Sequence, residues 1–139
     1  MEKLRSLKDL YNREATITIY QKLLAEKRAN MDKQSIAHIE EFIDQMKVSV
    51  RAYYRQHKAD FENDRRVIHD YGIDGAIVLI PLPKNLTTEG MAREYFEENE
   101  YMDRPNSPYD CTGEIFTEWY KIIERNGRFY AYHSIGRDC

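Results

Sequence analysis

The chain has 139 residues, a formal charge of −3 and a pI near 5.8. That length can bury a real core, and the charge gives no overall drive toward nucleic acid. No apolar run approaches the ~18 residues of a membrane span, no secretory h-region opens the chain, and 11 tyrosines with a mean hydropathy of −0.76 describe a well-solvated but folded protein. Two cysteines in such a chain read as free thiols, so the expected setting is cytoplasmic, with no membrane partner.

Residues from about Glu2 to Arg28 predict a helix, with Leu10, Ile17 and Leu24 recurring every seven residues. Thr16-Ile17-Thr18-Ile19 alternates like a strand, but its flanks are strong helix formers. Asp32 is placed to cap a second helix, in which Ile36, Ile43 and Val50 form one heptad series and Ile39, Met46 and Tyr53 the other. The short connection predicts an antiparallel helical hairpin. A break is expected near Lys58 to Asn63, then one more helical piece over Val67 to Tyr71 ending at Gly72, with a strand at Arg66 to His69 as the alternative.

Ala76 to Ile80 is apolar throughout and predicts a strand buried on both faces. Thr87 or Thr88 starts a further helix reaching about Tyr101, burying Met91, Tyr95 and Phe96, and a loop follows over Asp103 to Pro108. Asn126-Gly127 sits between two aromatic and β-branched runs, which predicts a hairpin with a type I′ turn over Gly113 to Asp138. The expected register pairs Arg125 with Arg128, Ile123 with Tyr130, Trp119 with Ser134 and Glu118 with Ile135. The expected fold is thus a single α+β domain over 1–139, helical over 1–72. Residues 73–139 supply a strand, a helix and the hairpin, and the N-terminal helices pack on a small antiparallel sheet of about three strands.

Function is carried by surfaces rather than motifs. One hairpin face offers Trp119, Tyr130, Tyr132, Arg125 and Arg128, residue types that concentrate binding energy. Between Lys84 and Asp110, seven acids oppose three bases, and Glu94, Glu97 and Glu98 lie on the predicted helix, a surface fit for a basic partner. Lys47, Arg51, Arg55 and Lys58 share a helix face and could track phosphates, although acids early and bases late also suit the helix dipole. No P-loop, GxGxxG, GxSxG, CxxC or HExxH occurs, so no cofactor, metal site or catalytic residue is assigned. A nucleophile and base pair of Cys111 with His133 is thin. So are Asp110, Glu114 and Glu118 near Lys121, as remnants of a metal-dependent hydrolase.

The string Phe116-Thr117-x-Trp119-Tyr120, Asn126-Gly127 and Ala131-Tyr132-His133-Ser134-Ile135 resembles small accessory proteins of bacterial phages and mobile elements. The likeness covers about the last fifth of the chain, and no functional residue carries over from it. That group includes inhibitors of host defence such as anti-CRISPR proteins. The resemblance therefore implies a non-enzymatic protein-binding role, with a host nucleic-acid enzyme such as a CRISPR nuclease as partner. The alternatives are a small nucleic-acid-binding regulator and the hydrolase.

Overall fold

The structure is a computed structural model that describes residues 3–70, 75–102 and 114–138. The fold is α+β, and the chain forms two compact units, Met1–Lys58 and Ala59–Cys139.

The first unit is a helical hairpin. Helix α1 (Leu7–Lys27) starts at Ser6, whose hydroxyl accepts from the Asp9 N–H, and helix α2 (Lys33–Gln56) starts at Asp32, whose carboxylate accepts from Ser35 N–H at 2.7 Å. The β-branched stretch stays helical because its flanks are strong helix formers, and Thr16 and Thr18 donate their hydroxyls to the carbonyls of Asn12 and Glu14 within that helix. Leu10, Ile17 and Leu24 are buried on α1, and Ile43, Met46, Val50 and Tyr53 on α2, as the heptads predict. Arg13 bonds Ser49 at 3.0 Å, and Tyr20 meets Phe42 edge-on at 5.5 Å. Seven residues forward on one helix thus match seven back on the other, which fixes the antiparallel register. Burial and then the nearby charge of Asp9 push the Tyr53 hydroxyl up to about 12.

The short helix α3 (Lys58–Glu62) begins at the last residue of the first unit and leads into the second. The second unit continues with strands β1 (Val67–Asp70) and β2 (Gly75–Pro81), helix α4 (Glu89–Asn99) and strands β3 (Glu114–Arg125) and β4 (Arg128–Asp138). The sheet is antiparallel with order β1-β2-β4-β3, one strand more than expected. The addition is β1, where a helix over Val67 to Tyr71 was the first expectation and a strand the alternative. Val67 and Ile68 are β-branched and pair along the otherwise open edge of the buried β2, against Leu79 and Val78, which favours the strand. The expected ends of that piece, Tyr71 and Gly72, lie outside the described residues, as does the loop over Asp103 to Pro108. Strand β2 is buried along its whole length. Its Pro81 sits past the end of the β1 pairing, where a missing N–H costs the ladder nothing.

Asn126 (φ 52°) and Gly127 (φ 79°) form the expected left-handed turn. The predicted register holds from Arg125–Arg128 back to Trp119–Ser134, then slips. A bulge between Thr117 and Trp119 leaves Glu118 without a register partner and sets Thr117 opposite Ile135. The bulge moves Phe116 to the other face, opposite Gly136, where a Cβ would lie 2.5 Å from the Phe116 ring. Helix α4 covers one face of the sheet, where Ala92 and Phe96 join Val78, Ile80, Leu82, Ile122, Phe129 and Ala131 in a buried core.

Candidate functional site

Helix α4 is fixed by both its ends and its inner face. The Thr88 hydroxyl accepts from Met91 N–H at 3.2 Å, Phe96 is fully buried, and its ring stacks on Tyr120 of β3 at 4.4 Å. The Tyr120 hydroxyl donates to the Glu97 carboxylate, and partial burial together with that carboxylate raises the Tyr120 pKa. Glu100 receives Arg66 at 3.0 and 3.2 Å, and Arg93 bonds Glu89 at 2.9 Å. Of the acids the sequence singled out, Glu97 therefore holds the helix to the sheet, whereas Glu94 and Glu98 lie exposed one turn apart.

Past the helix end, the Tyr101 N–H bonds the Phe96 carbonyl and the chain turns onto β3. Thr117 N–H donates to the Met102 carbonyl at 2.8 Å, and Met102 N–H donates to the Thr117 hydroxyl at 2.9 Å. That pair of bonds sets Tyr101 and Met102 beside the start of β3, near Ile115. Along α4 and the start of β3 the exposed residues accordingly read Met91 (42%), Glu94, Glu98, Tyr101 (45%), Met102 (37%) and Ile115 (40%). Sequence reasoning found the acids and missed the apolar residues. It placed Met91 in the core, and the pairing of Met102 with Thr117 spans 15 residues with no local signature.

The aromatic face of the hairpin differs from the expectation. Trp119 is 37% exposed, but Tyr130 (9%) and Tyr132 (0%) are buried. The reason is the position of β4. It is an interior strand between β2 and β3, so its side chains stand beside the buried Ile77 and Leu79, and Phe61 closes edge-on over Tyr130 at 5.2 Å. Arg125 is half-buried. Arg128 is tied down. Its guanidinium donates to the carbonyls of Leu82 (2.9 Å) and Phe61 (2.8 Å) and to the Asp64 carboxylate, joining three segments. On this face only Trp119 retains the character of an anchor.

The basic row divides between two elements. Lys47, Arg51 and Arg55 lie on α2 with both arginines exposed, while Lys58 begins α3. A cleft of about 450 Å³, not foreseen from sequence, lies between Pro81 to Lys84, Tyr95, the Arg66–Glu100 pair and Asp64. Both charge signs line it, so it has no single-sign ligand preference. Among the described residues no group of three or more His, Cys, Asp or Glu is placed to hold a metal ion, and no helix is long and apolar enough to cross a membrane. Cys111 and Asp110 of the catalytic alternatives lie outside the described residues, and His133 is buried against Thr117 and Phe96. Comparison of the chain with family models, curated proteins and solved structures gives no match.

Proposed function

We propose that this chain is a non-enzymatic accessory protein that docks on another protein through the exposed stripe of α4 and the adjoining start of β3. The reading is carried by one observation. Met91 on α4, and Tyr101 and Met102 just past its end, bracket Glu94 and Glu98 on a helix locked to its sheet, giving apolar anchors beside negative charge. Tyr101 presents a large ring with few rotatable bonds, the two methionines adapt to a partner's surface, and the acids beside them orient a basic partner. The resemblance at the hairpin supplies the partner class, a host nucleic-acid enzyme such as a CRISPR nuclease. The basic groove with which such an enzyme holds phosphates is the electrostatic complement of this stripe.

The test is a paired charge reversal, Glu94→Lys with Glu98→Lys, which spares Glu97 and its bond to Tyr120. Capture of the partner should fall at least tenfold, and the remaining binding should lose its salt dependence, with the melting temperature unchanged. Undiminished capture would contradict the reading. So would a salt-dependent gel shift that Arg51→Glu and Arg55→Glu abolish, which would instead assign α2 to nucleic acid.

A further inference from the structure

Among the described residues strand β3 ends the sheet, and the geometry points to its outer edge as the pairing site for β3 of a second copy of this chain. Arg125 and Arg128 flank a two-residue turn and so exchange both main-chain bonds, which directs the N–H and C=O of Arg125, Ile123, Lys121 and Trp119 toward β4. The Phe129 carbonyl confirms the alternation, because it turns away from β3 to accept from Leu82 N–H at 3.0 Å. Tyr120, Ile122 and Glu124 therefore point their main-chain groups outward, and among the described residues β3 has β4 as its one strand neighbour.

The register follows from what lies at either end. Below the bulge the edge is occupied, since Thr117 N–H bonds Met102. A two-fold axis through Ile122 sets Ile122 opposite its own copy, Tyr120 opposite Glu124, Trp119 opposite Arg125 and Lys121 opposite Ile123. No like charges then face one another directly. The partner strand reaches its turn at Glu118, short of the blocked Thr117. Moving the axis to Lys121 opposes the two lysines and drives Arg125 of the second copy onto Thr117. Moving it to Ile123 opposes Lys121 with Arg125. Only the axis at Ile122 avoids both faults. A lone guarded edge would gain nothing from this self-complementarity, and a heterologous strand would not require it. The pairing is independent of the α4 stripe.

Light scattering on the intact chain should give twice the 16.6 kDa chain mass. Monomer mass at every concentration up to the solubility limit overturns the proposal. Glu124→Pro removes an outward N–H without touching the β3–β4 ladder, and should return the monomer with native circular dichroism. Register is read by cysteines in a Cys111→Ser, Cys139→Ser background, which needs no proline variant to fold. Lys121→Cys mixed with Ile123→Cys should form a disulfide across the non-hydrogen-bonded pair, and neither should do so alone. Crosslinking by Lys121→Cys or Ile123→Cys alone, or a dimer with no crosslink in the mixture, overturns the assigned edge and register.

Discussion

The Thr117 hydroxyl lies 2.8 Å from Nε2 of His133, a β4 imidazole that is only 1% exposed. The same hydroxyl accepts from Met102 N–H, so a buried imidazole stands directly behind the contact that places Met102 on the surface. Burial first, and the positive charge of Arg66 second, lower the His133 pKa from 6.5 to about 4. The unfolded chain therefore binds a proton on this residue over a window in which the folded chain does not. Stability should be complete above the ordinary value of 6.5 and decline as pH falls toward about 4. The expected loss is on the order of 3 kcal/mol. Urea unfolding across that window should show the decline, and His133→Gln should flatten it. A wild-type profile that is already flat would refute the neutral buried ring.

Arg128→Ala should destabilise the chain by about 2–4 kcal/mol, because it strands the carbonyls of Leu82 and Phe61 as well as releasing Asp64. Arg128→Lys should recover part of that loss, since an ammonium keeps the charge but cannot span three acceptors. Asp64→Asn should cost little, because that carboxylate is 73% exposed and asparagine also tolerates the φ of 56° at this position. Equal melting temperatures for Arg128→Ala and wild type would remove the clamp.

Two glycines with positive φ should respond very differently to alanine. At Gly75 (φ 125°) a Cβ would lie 2.0 Å from the main-chain oxygen of Ile135, with no flexible side chain to yield. Gly75→Ala should prevent folding or cost more than about 3 kcal/mol. At Gly127 (φ 79°) a Cβ meets nothing within 4 Å, so the penalty is the conformation alone, about 1 kcal/mol. A comparable melting temperature for both variants would contradict the close approach of Gly75 to β4.

Much of this fold is legible in the sequence where local chemistry decides it. Asn126-Gly127 demands φ > 0 twice, Asp32 and Thr88 cap their helices, and the heptads of α1 and α2 mark their buried sides. Legibility fails where distant partners decide. Val67-Ile68-His69-Asp70 is too short for either periodicity to show, and the open edge of β2 makes it a strand. The bulge at Glu118 depends on the fit of Phe116 and the Glu118 carboxylate over Gly136, which pairing rules do not contain. For the candidate site, the acids of α4 are readable as a charge run. The burial of Tyr130 and Tyr132 is not, because it follows from β4 being an interior strand. Met102 joins the surface only through Thr117.

The docking role of α4 is tested most directly by a photo-crosslinking amino acid placed at Met102, with a second at Val48 on the exposed side of α2 for comparison. Illumination in the presence of the host proteins should give one discrete adduct from position 102 and none from 48, and Glu94→Lys with Glu98→Lys should abolish it. An adduct from 48 and none from 102, or one from 102 that survives the charge reversal, would contradict the account.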